Sequence, residues 1–309
     1  MKKPELLVTP SSVEDILPLI DAGADAFVIG EMAFGLRLAG EFTREQVNEA
    51  VQIAHDRGKK VYVAMNGLFH NDKVDDLKEY LTFLKDQSVD AVIFGDPAVL
   101  MTAKEAAPDM KLHWNPETTA TNWYTCNYWG KKGAKRAVLA RELSMDEIIE
   151  IKGHADVEIE IQIHGMTCMF QSKRRLIGNY FDFLGQSMEV QRVKENKNMY
   201  LFDPERNNRY PIFEDQNGTH IMSPKDICII DELGDLIDAE VDSFKIDGIF
   251  KSLAYNVQVT KLYREAIDTY VCDKGAYEEK KSALLEKIES IQPKDRPLDT
   301  GFFFKETIY

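Results

Sequence analysis

EIEIQIHGMTCMFQSKRRLIGNYF, residues 158–181, sets the reading of the whole chain. Isoleucines alternate with polar residues up to His164-Gly165, and a period of two is the signature of a strand. Cys168 follows, then the basic trio Lys173-Arg174-Arg175, then Asn179-Tyr180-Phe181. A strand over 158–163 places His164 and Cys168 at or just past its carboxyl end. In parallel α/β proteins that end is where ligands bind.

Upstream, strand and helix patterns alternate regularly. Strands are expected at 5–8, 26–29, 60–65, 91–94, 111–114 and 136–140. The helices between them are expected at 12–22, 43–57, 74–87, 98–107, 122–130 and 144–152. Thr43 with Gln46, and Ser144 with Glu147, have capping-box spacing. Gly23, Gly58 and Gly153 fall where helices should end. An eighth strand, 242–246, precedes a long helix, 252–271, with Leu253, Val257, Leu262, Ala266 and Ile267 on its buried stripe. Eight such units predict an α/β fold of the (β/α)8 TIM-barrel type, with an open doubly wound sheet as the alternative.

The barrel domain is then 1–272, with an irregular insertion at 166–240 between strands seven and eight. Inside it, 186–198 reads as a polar loop, and the short apolar pieces 199–202 and 210–213 suggest a hairpin. A charged helix, 278–291, and the tail make up 273–309, packed on the barrel or on a partner.

The 309 residues carry a net charge of -14, from 52 acidic against 38 basic side chains. That balance disfavours bulk binding to a nucleic-acid backbone, which needs a basic footprint. It leaves room for a local basic cleft or a partner subunit that supplies one. The amino terminus lacks a signal-peptide pattern, and no run approaches the roughly 18 apolar residues of a membrane helix. Cys126, Cys168, Cys228 and Cys272 are far apart and form no CxxC, so free thiols are expected. The expected location is cytoplasmic, with no membrane contact.

A barrel gathers its strand ends at one mouth. Those ends supply Thr9, Glu31, Arg37, Asn66, Asp96, Asn115, Arg141, Glu142, His164, Lys245 and Asp247. Such a set suits orientation of a small anion or acid-base work. His164, Arg141, Glu142, Lys245 and Asp247 are the catalytic candidates. Arg37, Asn66, Asn115, Asn179 and Tyr180 are the substrate-binding candidates. Arg141 either grips a carboxylate or phosphate or pairs structurally with Glu142 or Glu31. Lys245 and Asp247 share one strand face, as a catalytic pair or an interior salt bridge. The basic trio either touches RNA phosphate or is a solvated loop. Trp114, Trp123, Trp129, Tyr124 and Tyr128 either stack bases or pack helix on barrel.

Several segments together resemble the collagenase-like peptidases of family U-32 across essentially the full length. They are GLRLAGEFT (35–43), GKKVYVAMN (58–66), RAVLARELS (136–144), HGMTC (164–168), NYF (179–181), SPKDICII (223–230), VDSFKIDG (241–248), KLYREAID (261–268) and TGFFF (300–304). The resemblance implies kinship with a bacterial branch that promotes tRNA hydroxylation to 5-hydroxyuridine at the wobble position, with prephenate as a linked metabolite. Other members act as heterodimers in ubiquinone hydroxylation. Hydroxylating members hold an iron-sulfur cluster on four cysteines. Two of those positions match here, Cys168 and Cys228. The second falls on Arg175, and 185–192 lacks the third. The family's arginine after the Lys-Ile-acid-Gly run is replaced by Ile249 and Phe250. Two thiolates do not hold a four-iron cluster unaided, so no cofactor bound by this chain alone is expected.

Three functions follow as alternatives. The first is a degenerate subunit in tRNA wobble-uridine hydroxylation, paired with a cluster-bearing paralogue and meeting tRNA through that complex. The second is a protease, for which His164 and Cys168 are the sole nucleophile-base candidates, since no GxSxG or HExxH occurs. The third is a non-catalytic scaffold that binds an anion at Arg141.

Overall fold

The computed structural model describes residues 2–186 and 199–305, so nearly all of the expected polar loop 186–198 and the last four residues of the tail lie outside it. Seven parallel strands come first: β1 (Glu5–Val8), β2 (Ala26–Ile29), β3 (Lys60–Met65), β4 (Ala91–Phe94), β5 (Leu112–Trp114), β6 (Ala134–Val138) and β7 (Glu158–Ser172). Three more strands, β8 (Tyr200–Asp203), β9 (Asn208–Asp215) and β10 (Gly218–Cys228), lie in the insertion and precede β11 (Ser243–Asp247). Each of β1 to β6 pairs with the next, and β11 pairs in parallel with both β7 and β1. The sheet therefore closes on itself as an eight-stranded barrel, and the open-sheet alternative falls.

Alternation sorts the side chains. Leu6, Val8, Phe27, Ile29, Val61, Val63, Val92 and Phe94 join the large core shared with the helices. Their neighbours Leu7, Ala26, Val28, Tyr62, Ala64, Ala91 and Ile93 form a separate cluster inside the barrel. The outer ring includes α1 (Ile16–Asp21), α2 (Arg44–His55), α3 (Val74–Asp86), α4 (Pro97–Ala106), α5 (Trp123–Lys132) and α6 (Met145–His154). Both expected capping boxes form, at Thr43/Gln46 and Ser144/Glu147. Each satisfies backbone donors that a helix start leaves open.

The other half of the barrel interior is polar. At the amino-terminal end of the strands, Arg136 is 3% exposed and donates to Glu5 at 2.7 Å, Glu158 at 2.8 Å and Glu160 at 3.2 Å. Tyr62 and Ser243 also donate to Glu5, at 2.7 and 3.1 Å. This knot ties β1, β3, β6, β7 and β11 together.

The sequence pattern ends the seventh strand at 163, but β7 runs on to Ser172. Beyond the barrel it pairs antiparallel with β10, which pairs with β9, and β9 with β8. The expected hairpin is present, with Leu201 opposite Tyr210. A short helix, α7 (Leu176–Phe183), follows β7, and α8 (Gly234–Asp238) precedes β11. Where β7 leaves the barrel, Lys245 faces Gln162 but Ile246 faces His164, so β7 holds one extra residue at a bulge. Gly165 next to it has φ +101°, and a Cβ there would lie 2.2 Å from the Asp247 carbonyl oxygen. Only glycine permits this approach of β7 to β11.

Two long helices finish the chain, α9 (Leu253–Cys272) and α10 (Lys274–Ile291). Tyr277, Leu284 and Ile288 of α10 belong to the main core. The strand β12 (Leu298–Asp299) adds to β10, and Met145 donates its N–H to the Phe303 carbonyl at 2.9 Å. No described helix is long and apolar enough to cross a membrane.

Replacing Arg136 by methionine leaves Glu160 buried without a cation and Glu5 with only the more exposed Lys60, 3.3 Å away, and breaking a buried pair typically costs about 3–5 kcal/mol. Urea unfolding of Arg136→Met should show a loss of that size. A loss under about 1 kcal/mol would mean the knot does not hold the barrel end together.

Candidate functional site

The mouth is built from the ends of five strands around one carboxylate. Glu117, in the loop after β5, receives Arg37 Nη2 at 2.6 Å, Arg141 Nη1 at 3.1 Å and Asn66 Nδ2 at 3.3 Å. Arg37 comes from the loop after β2, Asn66 from the end of β3, and Arg141 from just past β6. Asn66 Oδ1 accepts the Leu36 N–H at 2.9 Å, which fixes its amide toward Glu117. Asn115 Oδ1 accepts the Glu117 N–H at 3.2 Å. Lys245 and Asp247 pair at 3.0 Å on the interior face of β11.

Burial alone would raise the Glu117 pKa. Arg37, Arg141 and Lys245 outweigh it and hold the carboxyl at about 2. Burial likewise works against the Arg141 charge, but Glu117, Cys168 and Asp247 keep its pKa raised. Cys168 feels Arg37 and Arg141 too, yet burial dominates and pushes the thiol up. A catalytic thiolate needs the opposite shift.

Of the expected residues, then, Arg37, Asn66, Asn115, Arg141, Lys245 and Asp247 converge on the mouth, with Cys168 at its edge. The rest do not. The bulge turns His164 outward, away from the barrel interior. It is fully buried there, with Nε2 2.8 Å from the Tyr255 hydroxyl and Nδ1 3.3 Å from the Tyr263 hydroxyl. Both its ring nitrogens are thus engaged by α9, not by Cys168. Glu142 is exposed beside Arg141 without pairing to it. Asn179 and Tyr180 lie exposed on α7. Glu31 faces Arg44 at 3.6 Å, Asp96 caps α4, and Thr9 accepts the Gly248 N–H at 2.6 Å. Trp114 and Trp129 stack in the core at 5.2 Å, while Tyr124 and Tyr128 are exposed on α5. The sequence reading missed Glu117. Its one signal was a carboxylate two residues past a barrel strand's polar end, in Asn115-Pro116-Glu117.

The two cysteines at matching cluster positions occupy different clusters. Cys168 packs, as Phe250 does, against the cluster of Met166, Phe213, Met222 and Ile249. Cys228 belongs to the main core, with Sγ 3.6 Å from the Tyr263 hydroxyl and its thiol pushed up to about 11 by burial. Arg175 is exposed and 3.9 Å from Glu214. Among the described residues no group of three or more His, Cys, Asp or Glu is arranged to hold a metal ion. This donor set does not fit a four-iron cluster.

Fold and mouth together define a (β/α)8 barrel with a cationic, carboxylate-holding mouth at the carboxyl ends of its strands. The chain belongs to Peptidase family U32, whose sequence pattern matches residues 11–308. It is 67% identical over 309 residues to tRNA hydroxylation protein P2 of Bacillus subtilis, covering 100% of both chains. It is 35% identical over 275 residues to tRNA hydroxylation protein P1 of the same organism, covering 88% of this chain and 65% of that one. The solved U32 peptidase Mk0906 shares the fold, with a TM-score of 0.52 and 16% identity over 80% of this chain and 94% of that one.

Burial holds His164 neutral, with Lys251 adding and Asp226 opposing, and lowers its pKa to about 3. The unfolded value is about 6.5. The unfolded state therefore binds the extra proton, and His164 stabilises fully above pH 6.5 and progressively less as pH falls toward 3. Between pH 7 and pH 5 the loss is about 2 kcal/mol. Urea titrations at both pH values should show that difference in the native chain and not in His164→Asn. Equal slopes in the two proteins would place the histidine in a different protonation state.

Proposed function

We propose that this chain is a subunit in tRNA hydroxylation, acting in 5-hydroxyuridine formation at the wobble position with a cluster-bearing paralogue. The observation that carries the reading is the 67% identity to tRNA hydroxylation protein P2 from end to end. The coexistence of P1 and P2 in one organism supports a paired arrangement. Within the pair, the paralogue supplies the iron-sulfur cluster, because Cys168 and Cys228 here lie in separate packing environments.

The net charge of -14 supports contact with tRNA through the complex and not across this chain's whole surface. The exposed Lys173, Arg174 and Arg175 are its local basic contribution. The mouth binds a small organic anion, prephenate being the linked metabolite. Arg37 and Arg141 orient the carboxylate by charge-assisted hydrogen bonds, and Asn66 and Asn115 set the loop geometry. Lys245 and Asp247, paired at 3.0 Å, line the mouth beside that ligand. The peptidase alternative loses its dyad, since His164 is bound by Tyr255 and Tyr263 and the Cys168 thiol is raised.

Deleting the gene should remove 5-hydroxyuridine and its derivatives from digested tRNA, measured by liquid chromatography and mass spectrometry in a strain without a parallel pathway. The wild-type gene should restore them. Unchanged wobble uridines in that strain would refute the assignment.

A further inference from the structure

The mouth holds three cations and two carboxylates. Lys245 and Asp247 neutralise each other, so Arg37 and Arg141 share the single charge of Glu117. One positive charge is left over in a chain that is otherwise acidic. Glu117 itself is held awkwardly. It has φ +65° and Arg37 has φ +53°, a left-handed backbone that side chains other than glycine rarely adopt.

The loop around Glu117 is fastened mainly through that side chain. Asn115 is anchored by its N–H to the Phe94 carbonyl at 2.7 Å, and Ala120 accepts the Ala140 N–H at 3.1 Å. Between them, the Glu117 N–H to Asn115 Oδ1 and the Thr118 N–H to the Pro116 carbonyl are local bonds. Among the described residues, apart from that Glu117 N–H to its neighbour Asn115, every hydrogen bond or ion pair that leaves 116–119 runs through the Glu117 carboxylate, to Arg37, Arg141 and Asn66. The side chain is also reachable. It is 25% exposed, against 7% for Arg37 and 21% for Arg141.

We propose that Glu117 is an internal stand-in for the ligand: its carboxylate fills the place between Arg37 and Arg141 that a dicarboxylate takes when it binds. This rests on the reading of the mouth as an anion site and adds what the resting site contains and what must leave it. A dicarboxylate gives each arginine its own carboxylate and cancels the surplus charge, which Glu117 alone does not. Once displaced, the segment 116–119 keeps only the local bonds to Asn115 and Pro116 and relaxes from its left-handed backbone. Glu117 thereby sets a threshold against monoanions, which bring too little charge to replace it.

The test uses malonate as probe, with isothermal titration on the full chain and on Glu117→Gln, Glu117→Ala and Arg141→Gln. Thermal unfolding confirms that each variant is folded. Glu117→Gln keeps the shape and removes the charge. It and Glu117→Ala should bind malonate at least tenfold more tightly than the native chain, and should gain acetate binding that the native chain lacks. Arg141→Gln should lose malonate. If the native chain binds malonate and both Glu117 variants bind it equally or more weakly, Glu117 belongs to the ligand's own contacts and the stand-in is refuted. If no folded protein of the set binds malonate, the anion reading of the mouth fails along with it.

Discussion

One extra residue in β7 determines how the rest of the molecule is arranged. Because Lys245 faces Gln162 while Ile246 faces His164, the strand changes sides at the barrel rim. The parity that sends Glu160 and Gln162 inward would have sent His164 inward too. The bulge instead delivers it to α9, and Gly165 lets the strand cross tightly over Asp247. From there β7 runs out of the barrel as the first strand of the insertion's antiparallel ladder and carries Cys168 past the mouth. The bulge thus separates two roles that the sequence places four residues apart: a buried structural histidine and a cysteine at the rim.

The two ends of the barrel show why only one of them suits a ligand. At the amino-terminal end one buried arginine serves Glu5, Glu158 and Glu160, and Tyr62, Ser243 and Lys60 also donate to Glu5. That network is rich in carboxylates and centred on the buried Arg136 and Glu160, which suits structural cohesion. At the other end the surplus is positive, the central carboxylate comes from a loop, and the groups remain partly open to solvent. An anion gains there what it would lose at the opposite end.

Most of the architecture was legible. Short, nearly continuous apolar runs located β1 to β4 to the residue, because strands buried on both faces need apolar side chains on each. Thr43 and Ser144 marked helix starts through chemistry that needs no tertiary context. Arg37, Asn66, Asn115 and Arg141 were readable as mouth residues because a barrel brings its strand ends together whatever the sequence. His164 was not, since a bulge changes strand parity without a composition signal. Glu117 was not either. Its position depends on a left-handed turn at a residue type that seldom marks one. Glu31 and Asp96 illustrate the converse: they follow strands, yet one pairs with Arg44 and the other caps a helix.

The proposed function divides the labour between an anion-holding barrel in this chain and redox chemistry in a related subunit. Anaerobic purification of the chain alone, and co-expressed with a cluster-bearing paralogue, tests this through iron and sulfide per chain. Under that proposal the isolated chain carries no stoichiometric iron, and a stable pair carries four irons with matching sulfide. Stoichiometric iron and sulfide on the isolated chain would contradict it.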